Sequence, residues 1–388
     1  MIPRDIEPEL QQAAKEYPVV TVFGPRQSGK TTLVRMVFPK KQYRSLEDPD
    51  VRAQALADPR GFFSDIEEGA VLDEIQRAPE LLSYIQGIVD LSKQRGRFIL
   101  TGSHQPELHA AVSQTLAGRT ALLTLLPFCF NELRRYTKTL DAFELIVKGS
   151  FPRLHDEQLQ PARFFNGYLR TYVERDVRAL INLKDLRRFQ QFLTLLAGRV
   201  GQVINYTSLG NDVGVSSSTI KSWVSVLTSS YVVAELSPYF ENVGKRVIRS
   251  PKIYFTDMGL VAFLLGISTP ELAARDPLRG NLFENLVIME ILKRRLNAGL
   301  RNDLFFYRDT HGNEVDLIIR RGRKLIPIEI KSSATFTSDF HKGIERFRAV
   351  VAKAEAGFIA YNGEQQSTFK GTKVFNPLLH EDVMKTVG

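Results

Sequence analysis

VVTVFGPRQSGKTTLVRMVF, residues 19–38, runs from a β-branched apolar segment through a glycine-rich turn into a helical pattern. The turn, Gly24-Pro25-Arg26-Gln27-Ser28-Gly29-Lys30-Thr31, is a full match to the phosphate-binding loop. Strand before and helix after are the context that makes the match specific. In such a loop backbone N–H groups and the helix N-terminus cradle phosphates. Gly24, Gln27, Ser28, Gly29, Lys30, Thr31 and Thr32 are the candidate ATP-binding residues. Lys30 would reach the β and γ phosphates and the Thr31 hydroxyl would bind Mg²⁺. A glycine-rich turn without ligand is the rival reading, disfavoured because motif and context agree.

Working outward, "AVLDE", "RFILTG" and "ALLTLL" repeat the apolar strand signal between helical stretches, an alternation that predicts a parallel α/β sheet. "AVLDEIQ" ends in Asp73-Glu74. Asp73 can hold Mg²⁺ through water, and Glu74 can orient and deprotonate the attacking water. A surface acid pair is the alternative. "FILTGSH" ends in polar residues, of which Ser103 could bond the γ-phosphate or the water, with Thr101 as competitor and a plain strand-end turn as rival. Arg119 in "LAGRT" is a candidate arginine finger for a neighbouring subunit, or else a surface salt-bridging residue.

With 388 residues the chain exceeds one ordinary core. Its 43% hydrophobic and 24% charged content is that of a globular protein. No apolar run of about 18 residues predicts a membrane span. A polar N-terminus argues against a signal peptide, and the single cysteine, Cys129, excludes an internal disulfide and fits a reducing cytoplasm. The six histidines build no zinc-ligand spacing. Net charge +9 leans toward a polyanionic partner. Beyond about residue 131 helical periodicity dominates, as in "FFNGYLRTYVERDVRALINL" and "RRFQQFLTLLAGRV". "YTSLGNDVGVSSSTIKSWVSVLTSSYVVAEL" reads as two short helices around a Gly-Val-Ser turn, then a strand, with "ENVGKRVIRSPKIYF" as a basic hairpin. From about 280 an amphipathic helix, "LFENLVIMEILKRRL", leads into strands.

"GPRQSGKTTL", "LDEIQRAP", "ILTGSHQ" and "LAGR" followed by "LLPFCFNEL" resemble a family of bacterial and archaeal AAA-type ATPases. "YVERDVRAL", "SPKIYFTDMGL" and "FENLV" are similar to motifs of that family's uncharacterised second half, so the resemblance covers about 15 to 380. It implies an AAA+ type P-loop α/β core, a winged-helix module and a restriction-endonuclease-like α/β domain. The expected boundaries are 1–135 for the ATPase core, 136–200 for a helical connector, 201–275 for the winged helix and 276–388 for the nuclease-like domain. "GSFP" at 149–152 also resembles the Gly-x-Pro turn of signalling-type relatives, which implies adenine packing for Pro152.

A winged helix places its second helix in the DNA major groove. Here that is "SSSTIKSWVSVL", with Ser217, Ser218, Thr219 and Lys221 toward the groove, while Lys245, Arg246, Arg249 and Lys252 in the wing would meet phosphates. Such folds also serve as subunit contacts. In "VDLIIRRGRKLIPIEIKSS", residues 315–333, two apolar strands flank a turn with Gly322 at the bend. Asp316 followed by Glu329-Ile330-Lys331 matches the spacing of a nuclease hairpin. Two carboxylates offer hard oxygen ligands for Mg²⁺ or Mn²⁺, and Lys331 can orient a water or stabilise the phosphorane oxyanion. Glu284 resembles the extra helical acid of this fold class; Glu314 could replace one ligand, and His311 reads as a loop residue. Solvated edge-strand faces, with Glu329–Lys331 a weak ion pair, are the plain alternative. The expectation is an ATP-driven DNA-processing homo-oligomer, a hexameric ring among its forms, acting on branched or duplex DNA. A motor that grips without cutting, or a nucleotide-operated switch on an inactive nuclease fold, are the rivals.

Overall fold

The computed structural model describes residues 2–66, 68–92, 94–103, 106–173, 185–240 and 250–387. They form two compact units, one of Met1–Phe128, Ser229–Tyr231 and Leu296–Leu300, the other of Cys129–Thr228, Val232–Arg295 and Arg301–Gly388.

In the first unit β1 (Val19–Gly24), β2 (Gln42–Ser45), β3 (Ala70–Asp73), β4 (Phe98–Ser103) and β5 (Thr120–Thr124) form one parallel sheet, ordered β2-β3-β4-β1-β5. Side chains alternate between faces along a strand. Val20, Val22, Val71 and Ile99 meet the Glu7–Glu16 and Lys30–Val37 helices, while Val19, Phe23, Leu72 and Phe98 meet the helices carrying Phe63, Leu82 and Ile85. Burial on both faces is why β1, β3 and β4 read as unbroken apolar runs. The sequence reading missed β2: it is an edge strand of polar residues, QYRS, which need only one neighbour and little burial. Because β3, β4 and β1 are adjacent and parallel, Asp73, Ser103 and Gly24 finish at one edge of the sheet. Ligands of open α/β sheets bind outside such carboxyl ends.

The second unit holds an eight-stranded sheet. Its strands are β6 (Val233–Pro238), β7 (Lys252–Phe255), β8 (Leu304–Arg308), β9 (Glu314–Arg321), β10 (Lys324–Lys331), β11 (Phe358–Tyr361), β12 (Ser367–Phe369) and β13 (Thr372–Phe375). Their order is β12-β13-β11-β10-β9-β8-β6-β7. β9 and β10 are the expected hairpin, with Arg321 opposite Lys324 and Leu317 opposite Ile328. β6 and β7 pair antiparallel, and β6 also pairs in parallel with β8, Ser237 facing Phe305, so the sheet runs across residues 275–276. Before β6, the helices Tyr206–Val213 and Ser217–Ser229 flank Gly214, whose φ of 76° suits a residue without Cβ. The expected basic hairpin falls in part on residues 241–249, so Lys245, Arg246 and Arg249 lie outside the described residues.

One expectation fails. The Arg279–Asn297 helix is not amphipathic: from Leu282 to Lys293 every residue is buried. Its polar groups survive burial because each is partnered. Asn285 exchanges hydrogen bonds with the backbone of Phe255, taking its N–H (2.7 Å) and donating to its carbonyl (2.8 Å). Glu290 accepts the Phe130 N–H at 2.8 Å, and Lys293 donates to Ser150 Oγ at 2.8 Å. Among the described residues no helix is long and apolar enough to cross a membrane.

Candidate functional site

The phosphate loop is shaped by its glycines and by the elements around it. A Cβ on Gly24 would lie 2.1 Å from the Leu125 carbonyl oxygen, so only glycine lets β1 turn beside β5. Gly29, at φ 93°, caps the Lys30–Val37 helix. The Lys30 ammonium, buried, donates to the Gly24 and Pro25 carbonyls at 3.0 and 2.8 Å. Ser28 Oγ is buried without a hydrogen-bond partner, as expected of a loop that accepts an anion. Gln27 and Gly29 are half-buried and Thr32 is exposed at the helix start.

Asp73 is the hub at the end of β3. It accepts from Thr31 Oγ1 (3.0 and 2.9 Å to its two oxygens), from Tyr43 at 2.7 Å and from Thr101. Burial, together with the Asp73 carboxylate it donates to, pushes the Tyr43 phenol well above its ordinary range. Thr31 and Asp73 are thus adjacent, the oxygen pair that could hold Mg²⁺ together with nucleotide phosphates. Glu74 follows in the left-handed region, φ 60° and ψ 47°, a conformation that costs a non-glycine residue of order 1–3 kcal/mol and clusters at functional sites. Its N–H donates to Thr101 Oγ1 at 3.2 Å. Ser103 and Thr101 divide the labour that the sequence left open between them: Thr101 holds Asp73, and Ser103 Oγ receives Gln76 Nε2 at 2.9 Å. Gln76 also donates to Glu74, so it ties the candidate base to the candidate γ-phosphate partner.

The sequence reading missed three residues here. Tyr43 sits on the unrecognised edge strand, and Gln76 looked like any helix-turn residue. Arg4, buried near the N-terminus, donates to the carbonyls of Ser28 (2.7 Å) and Leu126 (2.8 Å) and braces the loop from behind. Arg119 is held at the surface of its own unit by both oxygens of Asp90, at 2.5 and 2.9 Å.

In the second unit the hairpin acids are buried, Asp316 and Glu329 each 8% exposed, so the solvated-edge reading fails. Burial follows from β9 and β10 lying in the middle of eight strands. Lys331 Nζ joins Glu329 Oε1 (2.7 Å) to Asp316 Oδ2 (3.2 Å), and the Ile330 N–H also donates to Asp316 at 2.8 Å. Asn285 clamps the long helix to β7 and so sets Glu284 beside Lys252 and Tyr254. Glu284 Oε1 accepts from Lys252 Nζ at 3.0 Å and from the Tyr254 hydroxyl at 2.5 Å. Glu314 takes the other side of Lys252 at 2.5 Å. Lys252 was expected on a DNA-facing wing; it is instead buried inside this acid–lysine cluster, because β7 is hydrogen-bonded into the sheet. His311 lies in the Asp309–Asn313 turn, as a loop residue.

The electrostatics are those of crowded acids. Burial, with Asp316 nearby, raises Glu329 to about 8 despite Lys331, and burial raises Glu284 to about 7 despite Lys252. For Lys252 burial acts downward, but Glu284, Asp316 and Glu314 outweigh it and keep the ammonium charged. Among the described residues no group of three or more Asp, Glu, His or Cys is gathered to hold a metal ion. Glu329 Oε2, however, is buried with no partner, and a Cβ on Gly343 would come within 2.9 Å of it. Mg²⁺ is commonly bound by one or two carboxylates plus substrate phosphates, and Asp316 with Glu329 fits that requirement.

On the Ser217–Ser229 helix, Ile220, Trp223, Val224 and Leu227 face inward. Ser217, Ser218 and Lys221 are exposed and Thr219 half-buried, with Lys221 Nζ 5.5 Å from the Tyr206 ring centroid. Pro152 belongs to the second unit, where it is buried and opens the short Pro152–Asp156 helix.

Residues 16–134 match the family model for an AAA domain. Residues 139–271 and 279–379 match those of two domains of unknown function, DUF8612 and DUF4143. The uncharacterised protein Rv2008c of Mycobacterium tuberculosis is 33% identical over 341 residues, spanning 86% of this chain and 74% of that one. The chain belongs to the family of Rv2008c. A further relative, the uncharacterised protein MJ1637 of Methanocaldococcus jannaschii, is 24% identical over 386 residues, 85% of this chain and 79% of its own. Among solved structures, the Walker-type ATPase PABY2304 of Pyrococcus abyssi is 15% identical, with a TM-score of 0.41 over 67% of this chain and 94% of that one. The match of residues 16–134 makes the N-terminal part of this Rv2008c-family chain a P-loop AAA domain, and it includes Lys30, Asp73, Glu74, Ser103 and Arg119. The acid–lysine cluster draws on both other matches, Lys252 and Tyr254 from one and Glu284, Asp316, Glu329 and Lys331 from the other.

Proposed function

We propose that the protein is an ATP-hydrolysing, DNA-processing machine in which the acid–lysine cluster is a metal-dependent nuclease site. In the ATPase half, Lys30 leaves the loop carbonyls for the β and γ phosphates, and Ser28 and the loop N–H groups bind them. Mg²⁺ held by Thr31 and Asp73 would neutralise phosphate charge. Glu74 takes the proton of the attacking water, and Ser103 orients that water or the γ-phosphate. Pro152 packs against adenine. Arg119, released from Asp90, completes the site of a neighbouring subunit in a homo-oligomer, a hexameric ring among its closed forms.

The observation that carries the DNA half is the meeting of Asp316, Glu329 and Lys331 on paired strands, with a buried carboxylate oxygen left unpartnered. On this reading residues 276–388 are a restriction-endonuclease-like domain and 201–275 a winged helix. Mg²⁺ or Mn²⁺ on Asp316 and Glu329, aided by Glu284, would activate a water for phosphodiester attack. Lys331 holds that water or the developing oxyanion. Ser218, Thr219 and Lys221, with the wing cations Lys245, Arg246 and Arg249, hold the duplex.

One observation favours a second reading. Lysines already bridge the acids, and among the described residues no group of three or more Asp, Glu, His or Cys is gathered to hold a metal ion, as suits a motor that grips DNA without cutting. End-labelled single-stranded, duplex and four-way-junction DNA, incubated with Mg²⁺ or Mn²⁺ and with or without ATP, separates the two. Cutting that is absent in Asp316→Ala, while its ATPase persists, is the expected result. No cutting by the wild type, with ATPase still stimulated by DNA, overturns the nuclease and leaves the motor.

A further inference from the structure

We propose that Lys252 is a built-in cation that replaces a second divalent ion, so that the acid–lysine cluster binds a single Mg²⁺ or Mn²⁺. The inference rests on the metal-site reading of Asp316 and Glu329 given above. It starts from a residue that neither the hairpin spacing nor the helical acid Glu284 accounts for. Lys252 comes from β7, three strands away from β9 in the sheet order, and its side chain is 4% exposed. Its ammonium lies 3.0 Å from Glu284 Oε1 and 2.5 Å from Glu314 Oε1, with the Phe306 ring centroid 5.5 Å away. It therefore spans two carboxylates from different elements, as a bridging metal ion would. Tyr254, two residues on and on the same face of β7, donates to the same Glu284 oxygen and holds that carboxylate toward the lysine.

The cluster thus has two unequal halves. Glu284 and Glu314 are closed around Lys252. Asp316 and Glu329 share Lys331 along one side, and the second Glu329 oxygen is buried without a partner. The charges agree with this division. Ionised, as ion binding requires of them, four carboxylates face two ammonium groups, and Arg308 reaches only the other oxygen of Glu314, at 3.7 Å and 42% exposed. One divalent ion balances the remainder, whereas a second would leave the cluster positive before any phosphate arrived. An ammonium on a strand cannot dissociate, so the Glu284 half stays ordered at any metal concentration, and only the Glu329 half responds to the ion.

The test counts Mn²⁺ bound to the nucleotide-free full chain, by electron paramagnetic resonance of the free ion. An Asp73→Asn background removes the phosphate-loop carboxylate from the count. The expected result is one bound ion in this background, none after Asp316→Ala, two after Lys252→Met and one after Lys252→Arg, which restores a cation. One ion in Lys252→Met, or two in the background protein, overturns the role of Lys252 while leaving the metal site standing. No bound ion at all removes the metal-site reading, and this inference with it. Should Lys252→Met fail to fold in EDTA, folding on addition of Mn²⁺ is the expected outcome, and failure to fold at saturating Mn²⁺ overturns the proposal.

Discussion

Each of the two candidate sites is built round a buried lysine, but the lysines are held in different ways. Lys30 is satisfied by carbonyls six and five residues away, within the loop that presents it. Lys252 is satisfied by Glu284, 32 residues on, and by Glu314, which lies beyond another helix and strand. The loop is thus a local device: glycines, a strand end and a helix start suffice to make it. The acid–lysine cluster exists only if β7 joins the sheet through β6, and if Asn285 fixes the long helix against β7. Local devices tolerate distant changes. Assembled ones inherit every weakness of the contacts that assemble them.

The largest effect expected is at the ATP site. Glu74→Gln should lower ATP turnover by about 10²–10⁴-fold, the range for losing a general base, with Mn²⁺ binding at the cluster untouched. Phosphate release and Mn²⁺ counting on one preparation check it; loss of both would mean the sites are not separable. Next is the clamp. Asn285→Ala leaves the buried N–H and carbonyl of Phe255 without partners, at about 1–3 kcal/mol for each group. Urea unfolding followed in the second unit should show that loss, while ATP turnover stays within about twofold, a shift below about 0.5 kcal/mol.

Acidity offers a gentler probe. Glu284 and Glu329 bind protons more tightly folded than unfolded, with folded values of about 7 and about 8 against an ordinary 4.5. A raised value favours the folded state when the group is protonated, so this stability is full below the unfolded value and is lost as pH rises through the folded ones. Thermal unfolding in EDTA should therefore show the second unit weakening from about pH 4.5 upward, most steeply from about 5.5 to 6.5, and levelling off above about 8 to 9. Glu329→Gln should flatten that slope, and an unchanged slope would place the titration elsewhere. At the ATP site, Gln76→Ala frees Glu74 and Ser103 from each other and should change kcat by about 2- to 10-fold, the worth of one hydrogen bond. An effect as large as that of Glu74→Gln would make Gln76 part of the chemistry.

The smallest effect belongs to Asp90→Ala. Its pair with Arg119 is exposed, so the unfolding midpoint should not move. ATPase should rise or hold if Arg119 serves a neighbour, and Arg119→Ala mixed with Lys30→Ala protein should regain activity. Without that regain in folded, assembled protein, Arg119 is only a surface ion pair.

Legibility followed the same division between local and assembled. β1, β3 and β4 could be read from apolar runs, because burial on both faces leaves no other composition for them, and the edge strand β5 from the run of leucines around it. The polar edge strand β2, and with it Tyr43, could not. Asp316, Glu329 and Lys331 were visible as a spacing, since a hairpin fixes which residues share a face. Neither the burial of those acids nor the place of Lys252 was visible, and the basic run "VGKRVIRSPK" pointed the wrong way for that lysine. The helix around Glu284 looked amphipathic because its polar residues carry no mark of their partners in other elements.

By itself, the sequence determined the phosphate loop, the strands that flank it and the order of acids along the C-terminal hairpin. Each of these is set by neighbours a few residues apart, where backbone geometry leaves little choice. Only the tertiary structure decided that Gln76 joins Glu74 to Ser103, that Arg4 braces the loop, and that Lys252 sits among Glu284, Glu314 and Asp316. Those contacts depend on which strands pair and which helix covers them, and the pairing energy is spread over the whole sheet.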